Sequence, residues 1–362
     1  MATIPAAEQP PWTTPEVFLR PVAGGAEALT HGLDRFSGRW LKLRDLAPAK
    51  LKELRQVATI ESIGSSTRIE GAILSDTDVA AVLRGITFDS FRSRDEQEVR
   101  GYADVLRTIF DAYPDIAITE SAVKSLHRQL LRHSTKDARH RGEYKTAANH
   151  VEAAHADGRR VVVFRTAPPA ETRWWMPRLL DEFNAGWASE AWHPLVLIAD
   201  FVLWFLTIHP FQDGNGRLSR ALTTLLLLKA GYEYVPHASL ERIIEDNKSG
   251  YYAALRASQT TVVRDPTQYR EWLEFFLGAL RTQQRTLEVT LEAALAELKL
   301  VAPQERILEA IRARGPQTST GLATALGLTA RTTRYHLAQL TGRGQLVATV
   351  RRAGRLYSLP AD

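Results

Sequence analysis

Apolar residues recur at intervals of three and four along most of this chain, the spacing of helices that bury one face. The pattern predicts helices over residues 51–70, 76–85, 95–112, 118–131, 172–187 and 192–208. In 95–112 the inward stripe is Val99, Tyr102, Val105, Leu106 and Ile109. In 172–187 it is Trp174, Met176, Leu179, Leu180 and Phe183, and 51–70 reads as amphipathic. The run 195–208 is apolar almost throughout, so its helix is buried on all sides. Thr119 stands where an N-cap belongs, and Gly71 and Gly231 where helices stop. Residues 160–165, Arg-Val-Val-Val-Phe-Arg, read as a strand and predict a short hairpin. Further helices are expected over 26–56, broken at Ala47-Pro48, over 240–259, and over 266–300, whose last part, 283–300, is acidic and linker-like. The Pro- and Ala-rich residues 1–14 predict a disordered or loosely docked segment. The fold class is mainly α.

The last sixth follows a different order. Helices are predicted over 304–314, 318–326 and 330–340, then alternating strands over 345–350 and 355–359 around Arg351-Arg-Ala-Gly354. That order is a winged helix-turn-helix, with Arg331, Thr332, Arg334, Tyr335 and His336 on the recognition helix and Arg351, Arg352 and Arg355 on the wing. Charge agrees. The chain's net charge is +5, yet residues 301–362 hold nine Arg against three acidic residues, so all the excess lies there. A polyanion, DNA first, is the implied partner. Such modules also mediate dimerisation, so a homodimer is a further expectation.

Composition adds exclusions. Among 362 residues there is no cysteine, which removes disulfides, a thiol nucleophile and Cys-based zinc sites and fits a cytoplasmic location. The N-terminus lacks a basic segment followed by an apolar core, and 195–208 is too short for a membrane span, so no membrane partner is expected. His150, Glu152, His155 and Asp157 cluster without fixed spacing and do not read as a metal site.

The chemistry concentrates in His-Pro-Phe-Gln-Asp-Gly-Asn-Gly-Arg-Leu-Ser-Arg, residues 209–220. Gly214 and Gly216 flank Asn215, so backbone amides can approach an anion closely, and a helix follows whose N-terminus carries unpaired N–H groups. Arg217 and Arg220 are three apart on that helix and can grip different phosphates of one nucleotide. Asp213 is a hard oxygen donor suited to Mg2+ bridging phosphates. His209 can take a proton from an incoming hydroxyl. A capped polar loop accounts for one or two of these residues, but not for all of them.

This stretch resembles the signature of the Fic family, H-P-F-x-[D/E]-G-N-G-R-x-x-R, at every fixed position. The resemblance implies a Fic-type helical bundle with a short β-hairpin flap, followed by the C-terminal winged helix-turn-helix. It implies transfer of AMP from ATP to a protein Ser, Thr or Tyr hydroxyl, with His209 as base, Asp213 on magnesium, Gly214, Asn215 and Gly216 as the phosphate cradle, and Arg217 and Arg220 on the outer phosphates. Doc-type relatives carry a degenerate signature and transfer phosphate. Ser66 to Gly71 is similar to the family's inhibitory motif, [S/T]-x-x-x-E-[G/N], whose glutamate, here Glu70, pairs with the second arginine, here Arg220. A carboxylate at a helix C-terminus opposes the dipole and needs such a partner.

Residues 141–149 resemble the segment G-x-[FY]-R ahead of the flap, with Lys145 in place of Arg. The flap would receive the protein target by strand addition. Residues 240–259 resemble the helix behind the base, where Tyr252 packs on adenine and Gln259 reads its edge. His127, alone in its helix, reads as a packed or surface residue rather than a ligand. The expected domains are 1–90 with the inhibitory helix, 91–282 as catalytic core, 283–300 as linker and 301–362 as the winged module. The reading is an autoinhibited protein adenylyltransferase that can also modify itself. Run in reverse, with Glu70 placing a water, the same site would remove AMP. The alternative is a nucleotide-sensing, DNA-binding transcriptional regulator.

Overall fold

A computed structural model describes residues 26–43, 48–85, 94–154, 160–297, 302–351 and 354–360. Residues 1–14, His155, Asp157 and Arg352 lie outside the described residues. The chain divides into two compact units, Met1–Leu291 and Glu292–Asp362.

The first unit is built from helices α1 Glu27–Leu43, α2 Pro48–Ile69, α3 Asp76–Gly85, α4 Arg94–Ala112 and α5 Glu120–Leu130. A hairpin follows, β1 Val151–Ala154 with β2 Arg160–Phe164, and then α6 Pro169–Ser189, α7 Pro194–Ile208, α8 Asn215–Lys229, α9 Leu240–Asp246, α10 Lys248–Val262 and α11 Arg270–Glu297. The core centres on α7. Pro194 opens it at the first helical position, where a missing N–H costs nothing, and every residue from Leu195 to Ile208 is buried. Helices α6, α8 and α10 pack around it. Trp272 of α11 donates its indole N–H to the Ala199 carbonyl at 2.7 Å.

The stripe of α4 is as its spacing requires, with Val99, Tyr102, Val105, Leu106 and Ile109 all buried. Thr119 caps α5 by accepting from the Ala122 amide. Three expectations need correction. Helix α2 is not amphipathic in its C-terminal half: Ser62, Ser65, Ser66 and Thr67 are buried beside Ile63 and Ile69. On α6 the inward tryptophan is Trp175, four residues before Leu179, whereas Trp174 is 68% exposed. Residues 240–259 are two helices, because Asn247, at φ −119° and ψ 43°, breaks the run. Residues 283–297 continue α11 without a break. Among the described residues no helix is long and apolar enough to cross a membrane.

The second unit holds α12 Ala302–Arg314, β3 Gln317–Thr318, α13 Ser319–Leu326, α14 Ala330–Gly342, β4 Val347–Arg351 and β5 Gly354–Ser358. Its sheet order is β3-β5-β4, antiparallel throughout. Its own core joins Ile307, Leu308 and Ile311 to Leu322, Leu337, Leu340, Leu346 and Tyr357. Gly327, at φ +65°, turns α13 into α14. The two-residue strand β3 escapes the sequence pattern because it is too short to show alternation.

Candidate active site

Helix α7 ends by delivering His209. This residue is left-handed, at φ 54° and ψ 61°, and its N–H still bonds to the Phe205 carbonyl at 2.9 Å. A non-glycine residue held there costs about 1–2 kcal/mol, so the surroundings must impose it. Imidazole Nδ1 lies 3.2 Å from the Leu206 carbonyl. A carbonyl only accepts, so Nδ1 carries the proton and Nε2 keeps the lone pair. Burial, reinforced by the Lys145 ammonium, pushes the imidazole down to about 4, so it is neutral at pH 7.

The next residues form a braced turn. Asn215 Oδ1 accepts from the Phe211 amide at 2.9 Å and its Nδ2 donates to the Phe211 carbonyl at 2.7 Å. Its side chain is thereby committed to closing the loop. What it offers an anion is its backbone amide at the start of α8. Gly214 sits at φ +82°, open to glycine without strain. Behind the turn stands His127, fully buried, which the sequence left as either packed or surface. Its ring stacks on Phe211 at 3.7 Å between centroids, its Nδ1 accepts from the Gly142 amide, and its Nε2–H donates to the Asp213 carbonyl at 2.9 Å. Burial pushes it down to about 4 as well.

Charges close a ring at one edge of this turn. Arg217, 2% exposed, reaches Asp213 Oδ1 and Glu98 Oε2, each at 3.2 Å. Arg94 bonds Glu98 Oε1 at 2.7 Å and lies 3.5 Å from Asp213 Oδ2. Burial would raise the Asp213 carboxyl, but Arg217, the Gly214 amide and Arg94 prevail and hold it below the usual range. An ionised carboxylate at the cavity wall fits a divalent cation among phosphates. Glu98 and Arg94 were missed by sequence reasoning. The available signal was a carboxylate at 98, one turn before Tyr102 on the inward face of α4.

Arg220 points to the other edge. Its Nε donates to Ser66 Oγ at 2.9 Å, and its Nη2 donates to the Ser66 carbonyl at 2.8 Å and to Glu70 Oε1 at 2.9 Å. Burial opposes its charge, yet Glu70 raises its pKa further. The carboxylate of Glu70 also lies over α8: a Cβ added to Gly216 would sit 2.1 Å from Glu70 Oε1. Arg68 fixes the end of α2 by bonds to Glu245 at 2.6 Å, Asp76 at 2.9 Å and the Leu74 carbonyl at 2.8 Å. Gly71, at φ +104°, ends that helix.

These parts share a cavity of about 870 Å³, lined by Glu70, His209, Asp213 to Arg217, Tyr252 and Gln259. Its size suits a nucleotide. Arg220 does not line it, because Glu70 intervenes. Both tyrosines of the pair line the cavity, Tyr251 almost wholly buried and Tyr252 half-buried. Lys248 and Arg256 stand on the same face of α10 and line it too, although the sequence reading assigned them no role. The hairpin pairs antiparallel, with a bulge between Val151 and Glu152, and Val151 borders the cavity.

Comparison with known proteins agrees with this geometry. Residues 117–227 match the Fic/DOC family. The chain is 26% identical over 269 residues to a Protein adenylyltransferase Fic of Drosophila willistoni, covering 71% of this chain and 50% of that protein. It is 29% identical over 187 residues to the protein of that name in Culex quinquefasciatus, covering 51% and 35%. The chain thus spans half or less of the length of these relatives. A Fic family protein from Desulfovibrio desulfuricans G20 superposes with a TM-score of 0.60 at 26% identity, over 95% of this chain and 99% of its own. A Fic domain containing signaling protein from Bacteroides thetaiotaomicron VPI-5482 shares the fold, with a TM-score of 0.60 at 23% identity, over 72% and 97%. Residues 117–227 are therefore a Fic domain.

Proposed function

We propose that the chain is an autoinhibited protein adenylyltransferase that moves AMP from ATP to a hydroxyl of a protein. One observation carries the reading: a neutral imidazole, an ionised carboxylate and a glycine-flanked helix N-terminus share one nucleotide-sized cavity, and Glu70 caps Arg220 at its edge. In the reaction the target oxygen attacks the α-phosphorus, its proton passes to His209 Nε2, and the bond to the β-phosphate oxygen breaks, releasing pyrophosphate. The amides at the start of α8 and the Arg217 guanidinium hold the phosphates, joined by Arg220 once Glu70 withdraws. Asp213 is the residue that would hold Mg2+, which when bound neutralises phosphate charge. Tyr252 and Gln259 face the base, and the β1–β2 hairpin presents the edge that the target lies against. Label from α-32P ATP is expected in protein, and label from γ-32P ATP is not. The reverse pattern would mean phosphoryl transfer and overturn the reading.

The second unit supports a separate binding role. Its element order, helix-strand-helix-helix-strand-strand, is that of a winged helix-turn-helix. Arg331, Arg334 and Tyr335 are exposed on α14, whereas His336, expected beside them, is 8% exposed and faces the unit's core. If this face grips DNA phosphates, Arg331→Ala with Arg334→Ala weakens duplex binding. It also lowers the slope of log K against log salt by about 2, near 0.9 per lost contact. An unchanged slope would remove these arginines from any interface.

A further inference from the structure

Lys145 is 3% exposed, and among the described residues its ammonium meets only neutral acceptors: Asn149 Oδ1 at 2.9 Å, Thr166 Oγ1 at 3.0 Å and the Ile208 carbonyl at 2.9 Å. Taking an ammonium out of water costs several kcal/mol, and an apolar side chain of similar length would avoid that cost. Burial pushes this amine down to about 7. Filling space therefore does not account for it.

The pattern of its bonds does. Lys145 Nζ holds the Ile208 carbonyl, and its backbone N–H holds the Pro210 carbonyl at 2.9 Å. Asn149, which accepts from Lys145, donates its Nδ2 to the His209 carbonyl at 3.3 Å and the Phe211 carbonyl at 2.5 Å. Four successive carbonyls, 208 to 211, are thus held by Lys145 and Asn149. Thr166 completes the joint by donating to Asn149 Oδ1 at 3.1 Å. Asn149 precedes β1 and Thr166 follows β2, so both feet of the hairpin meet at one ammonium. His209 occupies the left-handed conformation at the centre of this clamp.

We propose that Lys145 is a positioning residue whose buried ammonium ties both feet of the β1–β2 hairpin to the backbone of His209 and fixes the pose of its imidazole. The proposal rests on the reading of His209 as base and deepens it: the segment that receives the target and the group that activates the target's hydroxyl share one support. Three charges act on that imidazole, with Lys145 lowering its pKa and Glu70 and Asp213 raising it. The test uses the full chain with Lys145→Met and Lys145→Arg, each in the Glu70→Gly background, with the His209 resonance assigned by its loss in His209→Ala.

Lys145→Met is expected to shift the NMR titration of His209 upward by about one unit, because a neighbouring positive charge is gone. Lys145→Arg is expected to restore it. The kcat for AMP transfer should fall by about 10²-fold in Lys145→Met, the loss that a misplaced reacting group brings. The KM for ATP should stay within about two-fold, since Lys145 does not line the cavity. An unmoved His209 titration, or a loss confined to KM, would overturn the proposal. If Glu70→Gly transfers no AMP at all, the functional reading fails, and the titration still decides the role of Lys145. Should Lys145→Met not fold, Lys145→Gln, uncharged but able to donate to Ile208, carries the same titration.

Discussion

Glu70→Gly is expected to raise AMP transfer from ATP by about 10- to 150-fold over the unaltered chain. The factor follows from the contact removed: a hydrogen bond to a charged group contributes about 1.5–3 kcal/mol, and each 1.36 kcal/mol is tenfold in rate. Geometry explains why the whole of it bears on the nucleotide. Arg220 keeps both bonds to Ser66 when the carboxylate is gone, so its guanidinium stays where it is and gains an open face. The carboxylate also stands over the start of α8, as the position of a Gly216 Cβ shows, in space that a phosphate at a helix N-terminus would use. On the proposed reading two anions compete for one guanidinium, and the tethered carboxylate is expected to hold it against ATP. The same variant should melt earlier without ATP, because a buried guanidinium has lost its counter-charge, and recover when ATP binds. Intact mass after incubation with ATP measures the first effect. Equal modification of both chains would mean that Glu70 does not restrain the site.

Much of this site was legible because its residues lie within twelve positions of one another. A base, a carboxylate, a glycine-flanked turn and two arginines around a helix start constrain one another's geometry, so spacing alone gathers them at one cavity, which all of them but Arg220 line. Glu70 and Arg220 are 150 positions apart, and only the resemblance joined them; the 2.9 Å contact now does so physically. The rest was hidden for stated reasons. The cradle reading gave Asn215 only a backbone role, and its side-chain amide proves to close the turn as well. Glu98 and Arg94 gain their role by reaching Arg217 and Asp213, over a hundred positions away, which no local pattern records. His127 has the sequence context of any core histidine, and its partners at 142, 211 and 213 are distant in the chain. In the fold, periodicity located α4 and α5 closely because each has a single clear stripe. It misplaced the face of α6 by one residue because Trp174 and Trp175 are both large and apolar. It failed on α2, since buried serines and threonines look polar in a sequence while here they bond inside the core, Ser66 to Arg220, Ser62 to Ser239 and Ser65 to Arg68.

His209→Ala in the Glu70→Gly chain is expected to lower kcat by about 10²–10⁴-fold, the range of a positioned general base. The KM for ATP should change little, because the cradle amides, Arg217 and Asp213 remain. The pH profile gives a sharper check. Burial and Lys145 place the imidazole near 4, so in the parent its neutral form is present throughout pH 6–8 and the rate should not rise across that interval on account of this group. Below about pH 5 protonation removes the acceptor and the rate falls. The sign for stability runs the same way. A histidine whose pKa is lower folded than unfolded binds its proton more readily in the unfolded chain. Stability from this site is therefore complete above about pH 6.5 and is lost as pH falls toward 4, and His209→Ala should flatten that part of the curve. A residual rate in His209→Ala that still climbs between pH 6 and 8 with hydroxide would show solvent accepting the proton. A variant retaining the parent's rate and acid limb would place the base elsewhere in the cavity.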